Sequence, residues 1–186
     1  PLTTTMLEGA EEEEALELIA RPVREVSRAD TAIIVLPSVG DSWAAEIIDG
    51  YLADSLLGVV FPPEGRAMSV LHEGTGMIVD SMARAQTMRV PQLAAFGPAL
   101  YAPLRSRGNT AGVLILLRRI GTPEFDISEL SLAESLASQA ALALELASAR
   151  HAEDVAALLD ERDRIGRDLH DFAIQQLFAT GMQLDG

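Results

Sequence analysis

A histidine and a carboxylate stand side by side near the carboxyl-terminal end of the chain, as His170 and Asp171. An exposed imidazole is close to neutral at pH 7, so a ring nitrogen can act as a nucleophile. The adjacent carboxylate can orient the ring and take the proton from its other nitrogen. The γ-phosphate of ATP is a suitable electrophile, because phosphoryl transfer requires mainly positioning and charge stabilisation. The sequence shows neither a metal site nor a phosphate-binding loop, so ATP would have to be bound by another domain.

The segment that carries His170 has the pattern of a long amphipathic helix. Leu169 and Phe172 belong to an apolar stripe, and His170 lies about 100° further round the helix, which turns the imidazole toward solvent or a docking partner. A second helix, most simply the same helix of a second chain, would bury the stripe, which predicts a homodimer. The stripe alternates spacings of three and four residues, with two polar exceptions, over Val155, Leu158, Arg162, Ile165, Leu169, Phe172 and Gln176.

Composition excludes several classes of function. The 186 residues include 14 Arg, no Lys and no Cys, and the net charge is −14. Without Cys there are no disulfides, thiolate metal sites or cysteine nucleophiles, which fits the cytoplasm. An acidic chain with 4 % aromatic residues is poorly suited to bind nucleic acid. No apolar run approaches the roughly 20 residues of a membrane span, and no metal site is predicted.

The remaining sequence mixes strand-like and helix-like segments, which predicts an α+β fold. The two clearest strands, Ala99–Leu104 and Thr110–Leu117, are joined by a turn that holds Gly108 and Asn109, where positive φ is favourable. Ser128 is the predicted N-cap of the final helix, because no Pro or Gly follows it before Arg164. Further elements are predicted as strands at Thr31–Leu36, Trp43–Asp49 and Met77–Val79 and as helices around Leu16–Val26 (kinked at Pro22), Tyr51–Leu57 and Arg66–His72.

Three regions follow from this pattern. Residues 1–14 are a polar segment, residues 15–150 a domain of mixed strands and helices, and residues 151–186 a long helix. The resemblances described next imply a sensor domain for the second region and, for the third, a signalling helix that continues into a truncated phosphoacceptor helix. The chain begins at Pro1 and stops within a helical pattern. We therefore expect it to be a piece of a longer protein.

The segment Glu161–Leu177 resembles the dimerisation and phosphoacceptor helix of nitrate-sensor-type histidine kinases. The shared string is Glu-Arg-x-Arg-Ile-x-Arg-Asp-Leu-His-Asp, followed by a Gln five residues after the His. The continuation as far as Gly181 is similar to the oxygen- and redox-responsive dormancy kinases of mycobacteria. The resemblance implies that His170 is the phosphorylation site, Asp171 the base or orienting carboxylate, and Gln175 the residue that places water for dephosphorylation. It also implies a response regulator and an own or cognate ATP-binding kinase domain as partners.

The region upstream resembles a GAF domain, most clearly over Gly97–Leu104 and Thr110–Ile115. The resemblance implies a GAF-like antiparallel sheet flanked by helices, followed by a long C-terminal signalling or coiled-coil helix. In the dormancy kinases the first of two GAF domains binds haem, and the position of this domain resembles the second, whose ligand is not implied. Haem is therefore not expected, although His72 is the one histidine that could serve as an axial ligand. Four methionines could line a ligand pocket: Met68, Met77, Met82 and Met88.

Two alternatives remain open. The chain could be a GAF ligand-binding and dimerisation module in which His170 is a plain surface histidine, or a haem-based gas sensor. Four neighbouring residues could likewise be surface ion pairs rather than functional groups, because they have the spacing of exposed helix ion pairs: Arg162, Arg164, Arg167 and Asp168.

Overall fold

Six strands and four helices make up the computed structural model, which describes residue 14 and residues 16–185, without the side chains of 151 and 178–185. The strands are β1 (Thr31–Pro37), β2 (Trp43–Gly50), β3 (Val60–Phe61), β4 (Met77–Val79), β5 (Phe96–Ser106) and β6 (Asn109–Arg119). The helices are α1 (residues 16–26), α2 (Ala53–Leu56), α3 (Arg66–Glu73) and α4 (Ile127–Asp185). The predicted polar segment 1–14 lies outside the described residues except for Glu14, which is helical.

The strands form one antiparallel sheet in the order β3-β2-β1-β6-β5-β4. The central strands β1, β6 and β5 are buried on both faces, so they are almost continuously apolar. Side chains alternate between the faces, and Ile33 and Ile34 of β1 belong to two different core clusters. The predicted α+β fold with an antiparallel sheet is confirmed.

One face of the sheet is covered by α1 and by the first third of α4. The most deeply buried residues of α4 are small, and Ala133, Ala137 and Ala140 are each at most 3 % exposed. Alanine lets the helix axis lie close to the sheet and has the highest helix propensity. On α1, Leu16 and Val23 fill the same core, and the helix continues through Pro22 to residue 26.

The opposite face is covered by α3 and by the irregular segment before β5. α3 buries Met68, Val70 and Leu71 against the sheet and ends at Gly74, which adopts φ 69° as a left-handed C-cap. In the segment 82–95, a 3-10 turn at Pro91–Ala95 is the one regular piece among the described residues. The two-residue strand β3 was not predicted.

The β5–β6 hairpin confirms the predicted turn with one change. Positive φ occurs at Arg107 (53°) and Gly108 (79°), whereas Asn109 already begins β6. Two consecutive positive-φ residues suit the right-handed twist of a two-residue hairpin turn. Arginine therefore accepts the left-handed conformation that the sequence prediction had assigned to asparagine.

The predicted N-cap of α4 is wrong by two residues. The helix begins at Ile127, and the Asp126 carboxylate accepts a hydrogen bond from the Glu129 backbone N–H at 2.7 Å. The Glu129 carboxylate in turn accepts from the Asp126 N–H at 3.0 Å. This reciprocal pair is a capping box, and it satisfies two backbone donors that Ser128, already inside the helix, cannot reach.

Arg118, at the end of β6, joins three parts of the domain. Its side chain is 8 % exposed and forms an ion pair with Glu129. Its guanidinium also donates to the carbonyls of Ser27 (2.8 Å) and Pro123 (3.0 Å) and lies 3.9 Å from the ring centroid of Phe125. The end of α1, the connecting loop and the first turn of α4 are thereby held together around one buried cation.

Candidate phosphoacceptor site and sensor cavity

α4 is a single helix of 59 residues that leaves the domain near Glu145. At this point the Ser106 hydroxyl donates a 2.8 Å hydrogen bond to the Glu145 carboxylate, and Arg107 lies 3.5 Å from its other oxygen. The tip of the β5–β6 hairpin therefore contacts the helix where it parts from the sheet. Beyond residue 148 the described side chains are exposed, except for the half-buried Val155.

The predicted apolar stripe lies uncovered on this extension. Leu158 is 70 % exposed, Leu169 63 % and Phe172 60 %. An isolated helix would gain little from keeping such side chains in water, and pairing with a second helix would bury them. The stripe lies on the same helical segment as the predicted site residues His170, Asp171 and Gln175.

His170, Asp171 and Gln175 are all exposed on α4. Asp171 and Gln175 are one turn apart on the same face, while His170 lies about 100° from Asp171. Along the side of the helix, a shallow groove is bordered by His170 and Asp171 together with Gly166 and Arg167. Gly166 lies one turn before His170, and the space beside it is open. The imidazole is therefore accessible from solvent. The catalytic roles of His170, Asp171 and Gln175 stay predictions.

The arginines around the histidine differ in their partners. Arg164 donates to Asp168 at 3.1 Å and to Glu161, and the hydrogen bond lowers the pKa of Glu161 and raises the pKa of Arg164. By contrast, Arg162 and Arg167 form no ion pair with any other described residue. Both border the groove that holds His170. Their charges are therefore available to an incoming anion.

A cavity of about 310 Å³ lies on the α3 face of the sheet, far along the chain from His170. Its walls are mainly apolar, and they include all four methionines singled out in the sequence: Met68, Met77, Met82 and Met88. Polar and charged residues also line it, among them Tyr101 and Arg66. An apolar hollow with a few convergent polar groups is the usual form of a small-molecule site.

Tyr101 and Arg66 were not predicted as site residues. The available signal was one hydroxyl-bearing aromatic within the apolar run Ala99–Leu104 and one arginine at the start of α3. Neither is distinctive alone, because the contact between α3 and β5 that brings them together spans 35 positions. Such pairings are invisible to local patterns.

His72 lies in the last turn of α3, where its side chain is exposed. It is not among the residues that line the cavity. Among the residues that the structure describes, no group of three or more His, Asp or Glu side chains could hold a metal ion. No described helix combines the length and the apolar character that crossing a membrane requires.

Comparison with known proteins matches two parts of the chain separately. Residues 9–145 match the family model of the GAF domain, and residues 161–186 match the family model described as histidine kinase. Among solved structures, the GAF-B domain of DevS from Mycobacterium smegmatis superposes with a TM-score of 0.66 at 22 % identity, covering 76 % of this chain and 98 % of that one. The blue-light absorbing form of the PixJ GAF domain from Thermosynechococcus elongatus superposes with a TM-score of 0.65 at 15 % identity, covering 83 % and 95 %.

The family matches agree with the geometry. The GAF match ends at residue 145, where α4 leaves the hairpin, and the second match includes His170, Asp171 and Gln175. Both of these solved structures are below 25 % identical to this chain, so they support the fold alone. The chain therefore belongs to the GAF domain family, and its residues 161–186 are similar to the start of a histidine kinase domain.

Proposed function

We propose that this chain relays a signal from its GAF domain through α4 to His170, which accepts a phosphoryl group from ATP and passes it to a response regulator. The observation that carries the proposal is the exposed His170–Asp171 pair on a helix that is continuous with the domain core. ATP would be bound by the kinase domain of the same or a cognate protein, which places the reaction in the cytoplasm.

The chemistry needs only a few groups from this chain. A ring nitrogen of His170 attacks the γ-phosphorus, the phosphorus–oxygen bond to ADP breaks, and the Asp171 carboxylate stabilises or takes the proton on the other ring nitrogen. Arg167, which has no ion pair with another described residue and lies one turn before His170, can offset charge on the transferred group. A response-regulator carboxylate would then take the phosphoryl group, and Gln175 would place water for its hydrolysis from that partner.

Signal transfer would use the helix itself. Packing against the sheet fixes α4 from Ala133 to Ala141, and the hairpin contact at Glu145 lies at the exit point. A change in the domain that shifts this packing would move the helix as one piece and bias two arrangements of a paired stem. His170 would then be more or less open to the kinase domain.

Phosphorylation can be tested by supplying a cognate kinase domain with labelled ATP. Wild-type chain should acquire acid-labile, base-stable phosphate, because a phosphorus–nitrogen bond is formed. His170→Ala should abolish the label, whereas His72→Ala, which removes another exposed histidine, should leave it unchanged. Equal labelling of all three proteins would refute His170 as the acceptor, and no labelling of wild type with several cognate domains would favour a ligand-binding and dimerisation module.

The chain alone, incubated with ATP and no added kinase domain, should remain unlabelled. A phosphate-binding loop is not visible in its sequence. Strong labelling under these conditions would show that the 186 residues contain their own nucleotide site.

We also propose that the GAF domain works without haem. His72 is exposed and lies outside the cavity. An absorbance scan of protein purified from haem-supplemented cells should show no Soret band. A band that is lost in His72→Ala would instead support a haem sensor.

A further inference from the structure

The cavity beneath α3 has the form of a ligand site, and its polar groups restrict what the ligand can be. The walls contributed by Phe61, Val90, Leu93 and the methionines are apolar. An occupant therefore needs an apolar body that displaces water from them. A volume of about 310 Å³ lies at the lower end for ligand pockets, so the body is small.

Tyr101 gives the cavity one deeply buried hydrogen-bonding group. The residue is 2 % exposed, and its hydroxyl has a single partner among the described residues, the Met82 sulfur at 3.9 Å. A thioether is a weak acceptor. The hydroxyl can therefore donate a stronger hydrogen bond to an oxygen atom placed in the cavity.

Arg66 gives the same cavity a cation. The side chain is half-buried and forms no ion pair or hydrogen bond with any residue that the structure describes. It is close enough to Tyr101 that its charge acts on the phenol. The other cavity arginine, Arg89, is already paired with Glu64 at 3.3 Å.

The first turn of α3 adds to this positive end. Its N-cap is Gly65, at φ 124°, which has no side chain to accept from the first backbone N–H groups. Gly65, Arg66 and Ala67 all line the cavity. An anionic group at this end would therefore meet a guanidinium, free backbone donors and the positive end of a helix.

We propose that this cavity binds a small monocarboxylate with an apolar body, whose carboxylate pairs with Arg66 and whose oxygen accepts from Tyr101. Arginine and a carboxylate match in geometry and charge, and a single unpaired cation suits a single negative charge. The proposal rests on the proposed function only in treating the cavity as the sensory site. Binding itself does not depend on phosphotransfer.

The test is isothermal titration of the 186-residue chain with phenylacetate and hexanoate, each beside its neutral amide. Both carboxylates should bind, and phenylacetamide and hexanamide should bind at least tenfold more weakly. Acetate, which lacks the apolar body, should also bind at least tenfold more weakly. Because phosphorylation is not measured, the outcome is independent of whether His170 accepts phosphate.

Three variants locate the site. Arg66→Gln should weaken carboxylate binding at least tenfold and erase the preference over the amide, and Tyr101→Phe should weaken it about two- to tenfold while preserving the circular dichroism spectrum. Arg84→Gln removes an exposed arginine outside the cavity and should leave binding unchanged. Equal binding by Arg66→Gln and wild type, or no binding of either carboxylate at millimolar concentration, would overturn the proposal.

Discussion

At the scale of single residues, Arg118 illustrates how much one buried cation can organise. Its guanidinium is surrounded by backbone carbonyls, by the Glu129 carboxylate and by the Phe125 ring. Such a group costs desolvation energy and is tolerated because every donor direction finds a partner. Removal of the guanidinium would leave the carbonyls and the carboxylate that accept from it without a donor, at positions with little access to water.

Replacement of Arg118 by Met should therefore lower the free energy of unfolding by about 3 kcal/mol, since the partly buried Glu129 carboxylate and several backbone carbonyls lose their donor. Urea denaturation followed by circular dichroism measures the difference. The matched control is Arg119→Met on the next residue, where the exposed guanidinium lies over Tyr51 and its loss should cost at most about 1 kcal/mol. Similar losses for both variants would contradict the role given to Arg118.

Tyr101 allows a prediction about pH. Burial raises the pKa of its phenol above the usual value of about 10, and the charge of Arg66 lowers the pKa by a smaller amount. Because the folded state holds the phenol neutral, this stability is complete below about pH 10 and is lost as the pH rises from there toward the folded pKa. The chain has no Lys and no Cys, so few other side chains titrate in this window.

The free energy of unfolding of wild type should thus decrease as the pH is raised from 10 to 11.5, by at most about 1.4 kcal/mol per pH unit from this group. Urea denaturation at each pH measures this decrease. Tyr101→Phe should be nearly flat across the same range. Tyr51→Phe removes the half-exposed tyrosine and should retain the fall. An alkaline fall that survives in Tyr101→Phe would mean that another group causes it.

At the scale of elements, the start of α4 gives a direct comparison between a predicted and an observed cap. Asp126→Ala removes the acceptor for the Glu129 N–H and should cost about 1 kcal/mol. Ser128→Ala, at the position predicted from the sequence, lies inside the helix and should change stability by only a few tenths of a kcal/mol. Thermal unfolding of the two variants, measured side by side, decides between them; a larger loss in Ser128→Ala would restore the sequence prediction.

The success of the sequence predictions depended on whether the deciding forces are local. The strands β1 and β6 and the helix α3 were located within about one or two residues, because an apolar run marks each strand and glycines stand next to β6 and α3 in the chain. The strand β3 is only two residues long and exists through pairing with Trp43 and Ala44. The cap was misplaced because Asp126 and Ser128 are both good N-cap residues two positions apart, and the capping box with Glu129 decides in favour of Asp126.

The candidate sites show the same contrast. His170, Asp171 and Gln175 fall within six positions, so a string of residues was enough to predict them. The cavity could be suspected from its methionines, but Tyr101 and Arg66 needed the packing of α3 on β5. Their pairing depends on tertiary structure, which a single sequence does not display.

At the scale of the whole molecule, one helix connects the two sites. α4 is buried against β5 and β6 over its first turns and uncovered over its last. Its alanine face suits close contact with a sheet, and its leucine stripe suits contact with another helix. The same helix can therefore report a change in the domain and, as part of a pair, present His170.

Pairing of the uncovered stripe gives the last prediction. Ile165 and Leu169 are 46 % and 63 % exposed in one chain, and burial of each side chain is worth about 1.5–3 kcal/mol. Ile165→Asp combined with Leu169→Asp places four charges in the seam of a dimer, so dimerisation should weaken at least about a hundredfold. Sedimentation equilibrium should show a dimer for wild type and a monomer for this variant.

The control for that experiment is Ala157→Asp, which adds the same type of charge on an exposed side of the helix away from the stripe. It should remain dimeric, because position 157 points away from the seam that Val155 and Leu158 form. A double variant that stays dimeric would place the contact elsewhere, on the GAF domain. In that case α4 could not present His170 from a paired stem, and the relay from the domain would need another route.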